Sequence, residues 1–304
     1  MTAHPTTAHS AHSGHHQHSH GHGHSHDHGS DQTQAELADL LDLDAEVLHE
    51  HYAELTTWVA EHTGGQPVRQ VLDLGAGTGT GSFGLLGRFP AAEVTALDSS
   101  PALLEHLRGK AEQRGLAGRV TTVEADLDQA WPPTAPADLA WASASLHHLT
   151  DPPAALRQAY AVLRPGGLLA VVELTGFPHF LPADLGFGTP GLEERCDAAL
   201  ARRHADELPH MGADWGTLLT EAGFALAAER EFTVRLDAPA PAATARYAHG
   251  RLRRLSTALA DRLSDEDLAT LARLTDPVGP DSVLRRTDLT VRAHRSAWLA
   301  RRPA

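Results

Sequence analysis

The first residues in this chain whose types and spacing could do chemistry are three aspartates and a glycine-rich turn. The apolar run Val71-Leu72-Asp73-Leu74 leads into Gly75-Ala76-Gly77-Thr78-Gly79. Glycines there let the backbone approach a ligand and aim N–H groups at it where the next helix starts, a position that favours a carboxylate or phosphate. Asp98 closes a second β-branched run 25 residues after Asp73, and Asp126 closes a third 28 residues further on. If these runs are parallel neighbours, the three carboxylates share the sheet edge where open α/β folds bind ligands, and a carboxylate there can accept hydrogen bonds from ribose hydroxyls. Each one alone would serve as a turn or cap residue. Together, in register, they point to a nucleoside ligand.

His147 and His148 follow a fourth run, where an imidazole could take a proton near neutral pH. The alternative is one histidine packed neutral in the core and the other lining a pocket without chemistry. Glu173, His179 and Phe180 sit at or after the fifth run, where a pocket wall or a packed loop would both suit them. Arg285, Arg286 and Asp288 lie near the last strand; an arginine there could grip a substrate carboxylate, or pair with Asp288 on the surface. The N-terminal segment forms a separate constellation. Eleven of the 22 histidines fall between His4 and His28. His20, His22, His24, His26 and His28 alternate with small residues, so several imidazoles could converge on a divalent ion such as Zn or Ni. A solubilising low-complexity extension is the competing reading.

Positioning these residues requires a regular framework. Residues 1–34 have no sizeable apolar group beyond Met1 and are expected to be disordered. Leu37, Leu40, Leu41, Val47, Leu48, Tyr52, Leu55, Trp58 and Val59 recur at helical spacing and predict a helical cap over 35–66. Residues 31–68 carry nine carboxylates and no lysine or arginine, which reads as a solvated acidic face. From residue 67 onward, short apolar runs alternate with helical segments, the pattern of βαβ units on a parallel sheet. Strands are predicted at 70–74, 93–97, 119–124, 138–144, 168–174, 224–236 and 289–299. Helices are predicted at 81–88, 101–114, 153–163 and 213–221 and within 241–275. The stretch from 175 to 212, rich in Phe, Pro and Gly, reads as less regular, and helical insertions are expected at about 175–212 and 240–285. Segments 175–212 and 240–285 are expected to cover the strand ends and form a substrate pocket.

With those residues in place, the chain resembles the class I S-adenosylmethionine (AdoMet)-dependent methyltransferases, in particular the small-molecule branch with the ubiquinone and menaquinone biosynthesis enzymes. The resemblance is specific over about residues 68–175. Asp73 through Gly79 is similar to the family's first motif, which implies contacts from Asp73, Gly75, Ala76, Gly77 and Gly79 to the methionine portion of AdoMet. Asp98 with Ser99 matches the ribose-binding position, Asp126 with Leu127 the pair beside the adenine, and Ala142 the end of the fourth strand. The run from Asp138 through His147-His148-Leu149-Thr150-Asp151-Pro152 to Arg164-Pro165-Gly166-Gly167 resembles the same branch. The resemblance implies a doubly wound, Rossmann-like α/β sheet of seven strands, six parallel and the last antiparallel. It also implies methyl transfer to a small organic molecule, with His147 or His148 as candidate base.

Several other classes fit less well. Gly79-Thr80-Gly81-Ser82-Phe83-Gly84 matches GxGxxG, but a dinucleotide fingerprint should start directly off the strand, and this one starts four residues late. A net charge of −14 argues against an extended nucleic-acid surface. Asp151-Pro152-Pro153-Ala154 lacks the aromatic that closes the signature of nucleic-acid amino-methylating enzymes. Cys196, the one cysteine, excludes an internal disulfide and the multi-thiol chemistry of arsenite methylation. No stretch approaches a membrane span and no secretory signal is visible, so a cytoplasmic location is the expectation. A metal-binding or metal-sensing protein built on a methyltransferase-like scaffold is the alternative function.

Overall fold

A computed structural model describes residues 1–2 and 28–304. Seven strands form one sheet: β1 (Gln70–Leu74), β2 (Glu93–Asp98), β3 (Val120–Glu124), β4 (Ala137–Ser143), β5 (Leu163–Leu174), β6 (Ala225–Leu236) and β7 (Val291–Arg301). Their order is β3-β2-β1-β4-β5-β7-β6. The first five pair in parallel, while β7 runs antiparallel to both β5 and β6, which makes six strands of one direction and one of the other. The order reverses between β1 and β4, so the connections leaving their C-terminal ends turn to opposite faces of the sheet, the place where such folds bind ligands.

The helices α1 (His28–Val47), α2 (His49–Glu61), α3 (Thr80–Arg88), α4 (Pro101–Gln113), α5 (Pro152–Val162), α6 (Leu192–Glu207), α7 (Trp215–Glu221), α8 (Thr244–Ala258) and α9 (Asp265–Thr275) complete the described chain. One face of the sheet packs on α2, α3 and α4 through Leu55, Trp58, Val59, Phe83, Leu85 and Leu107. The other packs on α5 and α7 through Leu156, Ala159, Trp215 and Leu219. A third apolar cluster joins the end of α1 to α6, α8 and α9 through Val47, Leu48, Leu200, Tyr247, Leu252 and Leu271, and forms a cap. Local sequence sets several helix starts. Ser100 accepts the Leu103 N–H at 3.3 Å with Pro101 in the first turn, and Asp151 accepts the Ala154 N–H at 2.9 Å with Pro152 in the first turn.

Two expectations are corrected. Helix α1 begins at His28, inside the segment expected to be disordered, so the helical region starts seven residues before Ala35. The insertion at 175–212 is irregular at first and then forms the 16-residue helix α6, whose buried Leu192, Cys196, Ala199 and Leu200 make a helical stripe. The acidic face of α1 and α2 is also more than a solvated surface. Asp42 meets Lys110 at 2.5 Å and His106 at 2.7 Å, Glu36 meets Arg253 and Glu46 meets Arg246 at 3.4 Å each, and Glu54 meets Arg230. These two helices dock by charge as well as by their apolar stripe.

Candidate active site

The chain leaves β1 through a turn in which Gly75, Gly77 and Gly79 have φ of 70°, 54° and 85°. The N–H groups of Gly75 and Ala76 both donate to the Leu97 carbonyl at 2.9 Å, which ties the turn to the end of β2. A Cβ on Gly75 would lie 2.5 Å from Cβ of Ser145, so only glycine allows the loop after β4 this close. Ser145 in turn donates to the Leu74 carbonyl at 2.8 Å. Ala144, just after β4, has φ of 52°, an uncommon conformation for a residue with a side chain and a local mark of strain at this edge.

Asp98 links the first two strand ends. One carboxylate oxygen accepts the Gly77 N–H at 2.8 Å and the other the Ser100 N–H at 2.9 Å, and the side chain is half-buried, with lone pairs to spare. Asp73 has another role. It is buried, accepts the Ser82 hydroxyl at 2.6 Å, and its pKa is raised to about 7, first by burial and then by the nearby charge of Asp98. It therefore holds the start of α3 under the turn instead of presenting itself to a ligand. Asp126 is exposed at the end of β3 and accepts the Asp128 N–H at 3.0 Å. Asp128 then accepts the Thr150 N–H at 2.8 Å, tying the third strand end to the fourth.

Asp98, Asp126 and the turn thus lie on one edge, as the sequence spacing predicts. Ser99 is exposed beside Asp98. Ala76, Leu127 and Ala142 differ from expectation, since all three side chains are in apolar clusters, Ala142 fully enclosed between Leu74 and Val171. Side chains of a strand alternate between faces, and Ala142 lies inside β4 while the chain reaches the edge only at Ala144 and Ser145. The GxGxxG match is not a phosphate loop. It lies in α3, and a Cβ on Gly81 would come within 2.3 Å of the Trp141 indole nitrogen, so that glycine serves helix-on-strand packing.

His147 is buried, and its Nδ1 is 2.6 Å from one oxygen of the equally buried Glu173, whose other oxygen accepts the Leu146 N–H at 3.0 Å. His148 is the exposed member of the pair, with ring centroids 4.1 Å apart. Crowding of its ring, and secondly the neighbouring His147, lower the His148 pKa below its ordinary value. His179 and Phe180 belong to the packed loop. His179 is 2.6 Å from Asp197, which raises its pKa, and Phe180 is fully buried against Tyr247. Arg286 forms a bidentate pair with Asp288 at 2.9 and 2.6 Å, and Arg285 ends the short turn Val283–Arg285 just before it. His20, His22, His24 and His26 lie outside the described residues, and His28 opens α1. Among the described residues no group of three or more His, Cys, Asp or Glu could hold a metal ion.

Two features of the edge carry no sequence signal. Helix α1 crosses the glycine turn, with Leu41 Cδ1 placed 3.4 Å from where a Gly77 Cβ would be and Gln34 accepting the Ser100 hydroxyl at 3.2 Å. On the cap side, Asp44 accepts the hydroxyls of Tyr52 at 2.7 Å and Tyr247 at 2.5 Å and lies 3.6 Å from the buried Arg295. Clefts of about 450 Å³ among α2, α3 and α4 and about 710 Å³ at the N-terminal strand ends lie away from the edge that carries Asp98 and His147.

The strand order, the glycine turn and the acid closing β2 together define the class I AdoMet-dependent methyltransferase fold. Residues 71–167 match the family model described as a methyltransferase domain. A malonyl-[acyl-carrier protein] O-methyltransferase of Halorhodospira halophila is 36% identical over 156 residues, 51% of this chain and 48% of the relative. A ubiquinone/menaquinone biosynthesis C-methyltransferase of a Shewanella species is 35% identical over 127 residues, 41% of this chain and 50% of the relative. The chain spans half or less of the length of these curated relatives. Among solved structures, the [4+2]-cyclase SpnF is 22% identical with a TM-score of 0.50, covering 83% of this chain and 82% of that one, a likeness of fold.

Proposed function

We propose that this chain binds AdoMet at the β1/β2 edge and transfers its methyl group to a small organic acceptor by in-line displacement. The observation that carries this reading is Asp98, whose two oxygens fasten the glycine turn and the start of α4 while remaining half-exposed at the strand edge. The residues fit a cationic nucleoside. Asp98 offers a carboxylate at the edge, and the turn beside it is bare of side chains at Gly75 and Gly77.

Bound AdoMet supplies a methyl group already activated on sulfonium, so the chain's own work is to position the acceptor and exclude water. Helix α1 does the second by covering the turn. Where the acceptor must lose a proton, His148 is the suited base, because its lowered pKa leaves the ring neutral at pH 7. His147, fixed by Glu173, orients its neighbour as a positioning residue. The two named relatives methylate at oxygen and at carbon. The shared core therefore suits more than one acceptor, and acceptor choice falls to the cap.

Calorimetric titration with AdoMet and S-adenosylhomocysteine tests the reading. Micromolar binding supports it, and no detectable binding of either at millimolar concentration overturns it. Asp98→Ala should weaken binding by about 1–3 kcal/mol for lost hydrogen bonds to a charged group. Asp98→Asn keeps one acceptor and should fall between the two. Unchanged affinity in both variants refutes the role given to Asp98.

A further inference from the structure

One charged group under the cap has no hydrogen-bond partner for two of its nitrogens among the described residues. Arg251 of α8 has its Nε and Nη2 atoms buried with no hydrogen-bond partner. Its guanidinium lies over the Phe177 ring, the carbon 3.7 Å from the centroid, so one planar face is covered while the enclosed Nε and Nη2 of its in-plane edge meet no acceptor among the described residues. Elsewhere in this chain the same edge takes a carboxylate. Arg195 holds Asp267 through Nε at 3.0 Å and Nη2 at 2.7 Å, and Arg273 holds Asp281 through the same atoms at 3.1 and 2.7 Å. The described carboxylates whose charge acts on Arg251, Asp197 and Glu193, are already committed. Asp197 is bound to His179 at 2.6 Å, and Glu193 accepts the N–H groups of Phe180 and Leu181 at 2.9 Å. Burying an ionised group without a partner is costly, which makes an unmatched guanidinium a marker of something that binds it.

The surroundings of Arg251 reach toward the strand edge through Phe177 and His204. Phe177 follows β5, and its ring centroid is 5.6 Å from that of His204 on α6. Burial, then the charges of Arg251 and His147, lower the His204 pKa, so His204 lies within electrostatic reach of both. Arg251 itself, brought down to about 10 by burial, stays cationic at neutral pH. With His204 neutral, the charge to be matched is a single one, which suits a carboxylate better than a phosphate dianion.

We propose that Arg251 anchors a carboxylate of the methyl acceptor, bound in plane through Nε and Nη2 beneath Phe177. That the ligand is the acceptor rests on the methyl-transfer reading above; that it is a carboxylate rests on Arg251 alone.

The test uses the full chain, wild type, Arg251→Met and Arg251→Lys, each saturated with S-adenosylhomocysteine. Melting temperature is followed against benzoate, succinate, citrate and inorganic phosphate, with benzamide as the neutral control. Without added anion, Arg251→Met should melt at or above the wild type, because an unpartnered buried charge is gone. At least one carboxylate should stabilise the wild type with a half-saturating concentration at least tenfold below that for Arg251→Met. Arg251→Lys should fall between, since lysine keeps the charge but not the fork, and benzamide should act on none of them. Equal responses of wild type and Arg251→Met to every carboxylate overturn the proposal, as does a phosphate response exceeding all the carboxylates. Calorimetry of S-adenosylhomocysteine on the same samples separates the two readings. If the wild type does not bind it, the cofactor assignment falls while the anion comparison, repeated without it, still decides Arg251. Unaltered affinity in Arg251→Met shows that the variant is folded.

Discussion

Replacing Asp73 by asparagine should make the protein more stable at neutral pH, and the gain should grow with pH. Asn keeps an oxygen to accept the Ser82 hydroxyl that Asp73 accepts at 2.6 Å and adds no volume, but it does not titrate. Burial moves the Asp73 pKa from the ordinary 3.8 to about 7. Below 3.8 the folded and unfolded chains both hold the proton. As pH rises toward 7 the unfolded chain ionises while the folded chain does not, so the wild type loses stability across that window and the loss levels off above it. A difference of about three pKa units corresponds to roughly 4 kcal/mol in full, of which about 2.5 falls between pH 5 and pH 8. Urea unfolding of wild type and Asp73→Asn at a series of pH values in that range, without cofactor, reads it directly. The free-energy difference between the two should widen in favour of the variant by on the order of 2–3 kcal/mol. A difference independent of pH from 5 to 8 would refute the argument that Asp73 is desolvated and protonated in the fold.

Two further outcomes follow from packing. Gly81→Ala places a methyl group where the Trp141 indole nitrogen is 2.3 Å away, and a shift of that buried ring should cost about 1–3 kcal/mol, read as a lowered urea midpoint with unchanged slope. An unaltered midpoint would mean that the α3–β4 contact is looser than this distance. Cys196 is buried and its pKa is pushed up to about 12, first by burial and then by surrounding carboxylates. It should therefore resist an aromatic disulfide reagent in the native protein and give one thiol per chain on unfolding; rapid native labelling would contradict the placement of α6.

Much of the sheet was legible in the sequence because its signals are local. Short β-branched runs, the glycines of 75–79, and the caps Ser100 and Asp151 each act within a few residues. The edge carrying Asp98 and Asp126 was legible for the same reason, since strand ends in a parallel sheet fall in register. Asp73 shows the limit of that reasoning: its spacing marks it as a third ligand group, while its 2% exposure makes it a buried latch for α3. Arg251 shows another, for nothing in Arg251-Leu252-Arg253-Arg254 separates the guanidinium that lies buried under Phe177 from Arg253, which pairs on the surface with Glu36. That difference is made by long-range folding of α8 against α6 and the loop after β5.

Helix α1 joins the two halves of the site. Gln34 and Leu41 meet the cofactor edge at Ser100 and Gly77, Asp42 reaches Lys110 on α4, and Asp44, two residues on, meets Tyr52, Tyr247 and Arg295 beneath the cap. Tyr247 is one helical turn from Arg251 on the same helix. The acidic composition of residues 31–68 thus has a structural use: its carboxylates meet basic groups on α4, α8, β6 and β7 and hold one helix across both subsites. Such pairs are individually weak where exposed, but Asp44 is largely enclosed and shared among three partners. The placement of α1 over the glycine turn is therefore fixed mainly from its C-terminal half, through Asp44, and Gln34 at the other end follows it.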